Sequence, residues 1–322
     1  MFDIIAMGET LIDFTPVGLG DNGSSLFAQN PGGAPANVLA QAARLGAKTA
    51  FMGMVGKDPF GAFLRAVMER SGIDTTNLLE TEEAHTTLAF VQLDDQGDRS
   101  FSFYRKPGAD VLLKARDIDQ QAIADSHIFH FGSLSLTDEP VREATHKAVQ
   151  TAKEAGCIVS YDPNYRPPLW PSEEEAKAQM ASMIPYADVL KVSEEEMALL
   201  TGDSNPETAT RILAEQGVSL VLISMGAEGA CYRCGEQFGH VPAFPVQAVD
   251  TNGAGDSFLG AILYRLRNKS CQALGTIGAE ELRELVTFGN AAGALTTTAH
   301  GAIPAMPDET QIADCLLGRS KT

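Results

Sequence analysis

"AVDTNGAGDSFLGAILYRL", Ala248–Leu266, sets small residues between two aspartates, Asp250 and Asp256, and then turns strongly apolar. Phe258, Leu259, Ile262, Leu263 and Leu266 recur at helical spacing. Gly253, Ala254 and Gly255 let the backbone turn tightly with amides exposed at the start of that helix. Free amides and the helix dipole favour an anion there. The plainer reading is a tight turn with Asp256 as the N-cap, a position aspartate prefers. A cap requires neither the preceding small residues nor Asp250. The stretch therefore predicts an anion site with Asp256 at the N-cap beside it.

Outward from this helix, short β-type runs alternate with amphipathic helical patterns. Residues 3–8, 48–54, 127–131, 157–162, 188–192 and 219–224 read as strands, most of them continuous apolar runs suited to burial on both faces. Residues 60–72 and 138–156 read as helices, the second opening on acids and stopping at Gly156. The alternation predicts an α/β fold, a doubly wound and mostly parallel sheet flanked by helices. Two segments break the rhythm. Residues 86–109 alternate around "DDQGD" as a hairpin would, and residues 9–18 read as extended. We expect one catalytic domain over 1–322, with a small β-sheet lid inserted at about 9–30 and 86–109.

The chain has 322 residues, 44% hydrophobic and 20% charged, a composition able to bury a sizeable core. Its net charge of −18 and pI near 4.7 argue against nucleic acid and anionic membranes as partners. No apolar run approaches the ~18 residues of a membrane span. The N-terminal "MFDIIAMGE" reads as a first strand rather than a signal peptide, so the cytoplasm is the expected location. Five cysteines make no disulfide framework. "CYRC" (Cys231, Cys234), with His240 nearby, lacks the second pair a zinc site wants and reads as small side chains in a surface hairpin.

Further segments place glycines, acids or cations at the ends of elements. "GLGDNG" (18–23) opens no helix, which removes the dinucleotide reading and leaves a loop. "GMVGKD" puts Asp58 where a P-loop needs Ser or Thr. In "NPGGAPANVL", Gly32 and Gly33 permit close approach of a ligand, and Asn37 can both donate and accept hydrogen bonds to hydroxyls. A plain turn before a packed helix explains that segment equally well. "YDPNYRP" sets Asp162, Asn164 and Arg166 just past a strand end, where open sheets bind ligands, although a salt-bridged loop is the simpler account of any one of them. "SEEEM" offers Ser193 and Glu196 as a capping box or as a water-mediated magnesium site. "SMGAEG", with Ser224, Gly226 and Gly229, is a glycine-rich loop suited to a triphosphate or ribose.

Together and in this order, the motifs resemble the ribokinase-like (PfkB) carbohydrate kinases, and within them the bacterial fructokinases, over nearly the whole chain. "NPGGAPANVL" is similar to the family's sugar-binding signature, "DTNGAGDSFLGA" to its C-terminal signature and "GDRSFSFYRKPGAD" to a fructokinase lid strand. The resemblance implies ATP-dependent phosphorylation of a sugar's primary hydroxyl, with fructose the expected acceptor. It makes Asp256 the general base and Gly253, Ala254 and Gly255 the anion hole. Asp13, Gly32, Gly33, Asn37, Phe101, Arg105 and Arg166 would contact the sugar. Ser193, Ser224, Gly226, Gly229 and Asn290 would contact ATP. Glu196 would reach Mg2+ through water, with Ser193 standing where the family usually has asparagine. Asp250, Asn252, Thr296, Ala299 and Gly301 would surround K+, and "TAHGAIPAMP" (298–307) would close over the adenine. A kinase for 2-keto-3-deoxygluconate, whose carboxylate Arg105 and Arg166 would pair, is the nearest alternative, and a non-catalytic sugar or nucleoside sensor is the alternative from another class. Phe101, Phe103 and Tyr104 alternate in the lid, so a homodimer through its apolar face is a further expectation.

Overall fold

A computed structural model describes residues 1–93 and 99–319, with the side chains of 92, 93 and 99–101 outside the description. The "DDQGD" turn of the expected hairpin lies outside the described residues.

In chain order the strands are β1 (Phe2–Met7), β2 (Leu11–Leu19), β3 (Ser25–Gly32), β4 (Thr49–Gly56), β5 (Ile73–Thr81), β6 (Leu88–Leu93), β7 (Arg99–Tyr104), β8 (Ser126–Gly132), β9 (Ile158–Asp162), β10 (Val189–Ser193), β11 (Leu220–Ser224), β12 (Ala230–Cys234) and β13 (Gln237–Val241). The helices are α1 (Ala34–Arg44), α2 (Pro59–Arg70), α3 (Gln120–Ala124), α4 (Val141–Ala155), α5 (Glu173–Met183), α6 (Glu194–Thr201), α7 (Pro206–Ala214), α8 (Ala254–Leu266), α9 (Cys271–Leu274), α10 (Ala279–Thr296) and α11 (Glu309–Leu316).

The main sheet runs β13-β12-β11-β10-β9-β8-β1-β4-β5. Its pairs are parallel from β5 to β11, and the β12–β13 hairpin adds an antiparallel edge. Alternate strand residues bury on opposite faces. Ile4, Ile128, Ile158, Val189 and Leu222 pack with α1, α8 and α10, while Ile5, Phe129, Val159, Leu190 and Ile223 pack with α4 to α7. Burial on both faces explains why these strands read as unbroken apolar runs. Leu259 and Ile262 of α8 are fully buried, and such a side chain is worth about 2–5 kcal/mol against alanine.

A second sheet, β3-β2-β6-β7, is formed by the segments expected at the edge. The "GLGDNG" stretch joins β2 to β3, with the Gly23 amide bonded to the Gly20 carbonyl. Asp58, the residue that rules out a P-loop, caps α2 by accepting from the Phe60 and Gly61 amides. Cys231 and Cys234 do lie in the β12–β13 hairpin, but both are buried rather than at the surface and belong to clusters on opposite faces of the sheet. A spacing of three along a strand points two side chains apart, so they share no ligand. His240 bonds the Glu228 carbonyl, Nε2 to O 2.8 Å. Among the described residues no helix is long and apolar enough to cross a membrane.

Candidate active site

The N-terminus of α8 is set by its own glycine. Gly253 holds the cap position in left-handed geometry (φ 74°), and a Cβ there would lie 2.5 Å from that of Ala302. Either constraint alone disfavours any larger residue. Asp256 is the third residue of the helix, not its N-cap, and no side chain caps α8. Its carboxylate instead accepts from Asn37 Nδ2 at 2.8 Å, across from α1. The Gly253 and Gly255 amides donate to no protein group among the described residues, while that of Ala254 makes a long 3.4 Å contact to the Thr251 carbonyl.

Two clefts meet at this helix start. A polar one of about 550 Å³, counting its open mouth, is lined by Glu9, Asp13, Gly33, Asn37, Phe103, Asn164, Arg166, Asn252, Gly253 and Asp256. An apolar one of about 1230 Å³ is lined by Ser224, Gly226, Gly229, Ala243, Phe244, Val246, Ala254, Gly255, Phe258, Asn290, Gly293 and Thr297. Gly253 faces the first, Ala254 and Gly255 face the second, and Asp256 stands on the polar side.

Acids dominate the polar cleft. Burial, with the charges of Asp256 and Asp250, lifts Asp13 to about 6 against the pull of Arg166. Burial also raises Asp256 above the ordinary carboxylate value, opposed by the Asn37 hydrogen bond and by Lys191 and Arg166. A carboxylate raised in this way is a better proton acceptor than one in water. Lys191 is the residue the sequence reading missed. Its Nζ is buried 3.0 Å from Asp162 Oδ2 and 3.1 Å from where a Cβ on Gly255 would sit. Burial works to lower its pKa, but Asp162, Glu196 and Asp256 together outweigh that and hold it above the usual value. The signal was present: one lysine within the apolar run "VLKV" (189–192).

Several expected residues are placed differently. Arg105 is 6% exposed and does not line the polar cleft. It bonds Asp110 Oδ2 at 2.7 Å, Thr137 Oγ1 at 2.8 Å and the Leu134 carbonyl at 2.9 Å. A Cβ on Gly32 would strike the Asp13 carboxylate, so the glycine keeps room for that side chain. The β7 backbone at Phe101 pairs with Val91, but its side chain lies outside the described residues. Asn290 lines the apolar cleft while donating to the Val241 and Pro242 carbonyls at 2.9 and 3.2 Å. Ser193 and Glu196 form a reciprocal capping box on α6. The second Glu196 oxygen accepts from the Tyr165 amide at 2.6 Å, so both oxygens already hold a backbone amide. Asp250 accepts from the Asn252 and Gly301 amides, both at 3.0 Å, which joins two loops. The Thr296 hydroxyl is bonded to Ser257, leaving its carbonyl as the group available to a cation, and Ala299 is exposed. The segment 298–307 does not line the apolar cleft: Ala302 lies on the polar one. The apolar cleft is walled instead by residues 243–248 and 290–297, of which only Asn290 was expected there.

A polar cleft and an apolar cleft that meet at unpaired amides of one helix start, with a carboxylate on the polar side, are the arrangement a small-molecule kinase needs. Residues 1–309 match the family described as pfkB family carbohydrate kinase. The chain belongs to that family. It is 43% identical to Fructokinase-1 of Zea mays, covering 96% of each chain. It is also similar to a crystal structure of fructokinase from Xylella fastidiosa with bound ATP, at TM-score 0.92 and 36% identity over the full length of both chains. A double-mutant fructokinase from Vibrio cholerae O395, solved with fructose, ADP and potassium ion, matches at TM-score 0.87 and 34% identity, covering 97% of this chain and 98% of that one.

Proposed function

We propose that the protein is a fructokinase, transferring the γ-phosphoryl group of ATP to the primary hydroxyl that gives fructose 6-phosphate. The observation that carries this is the start of α8, shared by both clefts with Asp256 on the polar side. Asp256 takes the proton of the attacking hydroxyl, and Asn37 fixes its carboxylate for the task. The Gly253 and Gly255 amides, with Lys191 beneath Gly255, meet the charge that builds on the transferring group. ATP lies in the apolar cleft against the Gly226–Gly229 loop. A divalent cation carried with ATP screens phosphate charge, with Glu196 holding one of its waters. A monovalent cation, potassium, sits where Asp250 and Asn252 meet the Thr296–Gly301 loop. The five free thiols suit a reducing, cytoplasmic setting.

The 2-keto-3-deoxygluconate alternative loses support, because Arg105 is spent on Asp110 and leaves Arg166 as the cation lining the cleft. The lid alternation divides between faces: Phe103 lines the cleft and Tyr104, 67% exposed, packs against Phe90, which in turn meets Phe27. That outer aromatic face supports a homodimer through the lid, and a monomer mass at micromolar concentration would count against it. Steady-state kinetics on a sugar panel with ATP and magnesium, with and without potassium, test the whole reading. Turnover of the keto acid without turnover of fructose overturns it, and binding without turnover of any sugar makes the protein a sensor.

A further inference from the structure

Among the described residues, two buried side-chain oxygens from residues of the polar cleft have no hydrogen-bond partner: Asn37 Oδ1 and Glu9 Oε2. Asn37 already has a part in the site. Glu9 has none. It stands two residues past β1, at the carboxyl end of a central strand where open sheets bind ligands. It is 3% exposed, and its Oε1 accepts from the amide of Ala34, the first residue of α1, at 3.0 Å. One oxygen therefore ties the carboxyl to a rigid helix end, while the other is shut from solvent and idle. Buried polar atoms are rarely left so without a ligand or water to take them.

We propose that Glu9 is a sugar-binding residue whose Oε2 bonds a hydroxyl of the bound carbohydrate other than the one phosphorylated, and so helps decide which sugars are accepted. The inference rests on the carbohydrate kinase reading and names a determinant of its substrate. Burial, with a contribution from Asp110, raises Glu9 to about 7, against Arg105 and the amides of Glu9 and Ala34. At neutral pH both protonation states are therefore present, and a hydroxyl suits both, donating to the anion or accepting from the acid. A third carboxyl in the cleft, beside those of Asp13 and Asp256, also opposes a ligand that carries its own carboxylate. Neutral polyols are the class this arrangement selects.

The competing account is that Glu9 only orients the start of α1. Glu9→Gln keeps an oxygen for Ala34 and replaces Oε2 with an amide, whereas Glu9→Ala removes both functions. Calorimetry with the full-length protein should measure the affinity of fructose and of its deoxy analogues, each lacking one hydroxyl. For Glu9→Ala we expect fructose to bind about 10–100-fold more weakly with ATP affinity unchanged. One deoxy analogue, already weak on the wild type, should lose nothing further, and Glu9→Gln should show the same pattern at smaller amplitude. Equal losses on every analogue, or none, overturn the proposal. Should Glu9→Ala not fold, a flat pattern for Glu9→Gln overturns it alone. Wild-type turnover, recorded separately, tests the kinase reading: sugar binding without turnover breaks that reading and leaves the Glu9 pattern readable, while no sugar binding at all defeats both.

Discussion

The two clefts on either side of the α8 start are built from different materials. The polar one is made of side chains that carry charge or an unused hydrogen-bonding atom: Asp13, Asn37, Arg166, Asp256 and Glu9. The apolar one is made of apolar side chains such as Phe244, Val246 and Phe258 and of small residues, with Gly226, Gly229, Ala254, Gly255, Gly293 and Ala294 among its lining. Side chains that bond individual hydroxyls discriminate between ligands, because a missing partner leaves a buried group unpaired. Glycine and alanine walls discriminate by shape. Specificity for the acceptor should therefore be concentrated in few residues, and affinity for the nucleotide spread over many.

The sharpest break of that contrast is Asp256→Asn. The amide still accepts from Asn37, so the geometry survives while the base is gone. We expect kcat to fall toward 10⁴-fold with both ligands still bound, measured by steady-state kinetics and calorimetry. A fall under tenfold would leave Asp256 without its role. Lys191→Met comes next, at about 10²-fold in kcat, the scale of losing one donor to a developing anion. Lys191 also helps hold Asp256 down, so its loss should move the acidic limb of the kcat/KM profile to higher pH. A purely structural lysine would leave that limb in place.

The same contrast explains what could be read from the chain. Parallel strands were legible because burial on both faces writes an apolar run, and the start of α8 because glycines and acids there have few other uses. Lys191 was passed over because its importance lies in what stands above it, Gly255, which is 64 residues away in the chain. Arg105 misled for the opposite reason: a cation near the lid looks available until Asp110 is seen to take it. Asp256 looked like a helix cap because the true cap, Gly253, shows its fitness only in φ. The apolar cleft was mostly invisible, since residues 243–248 and 290–297 follow no pattern that separates a ligand wall from ordinary packing.

A side chain that fills the apolar cleft tests whether the two sides are separable. Ala294→Leu should raise KM for ATP about tenfold and leave KM for fructose unchanged, in keeping with a clash of ~1–3 kcal/mol at a packed surface. If both constants rise together, the shared helix start transmits the change and the division is not functional.

The smallest expected effect has the opposite sign. Asp13 titrates near 6 in the folded protein, chiefly through burial, against 3.8 as its ordinary value. Between those values the folded state keeps a proton that the unfolded chain releases. Its contribution to stability is thus fully present below pH 3.8 and is lost as pH rises through about 6. At neutral pH the ionised acid, half-buried near Asp256 and Asp250, is a liability to the fold. Asp13→Asn should remove that part of the pH dependence and stabilise the protein at pH 7 by on the order of 1 kcal/mol, after allowing for solvent screening. Urea unfolding at several pH values measures it. The same variant should bind fructose more weakly, because an amide replaces a carboxylate at the hydroxyls. Stability gained with binding lost would mean the acid is kept for its ligand. Stability lost would mean that Asp13 holds β2 in place, and the polar cleft would then be less purely a binding surface than its partnerless atoms suggest.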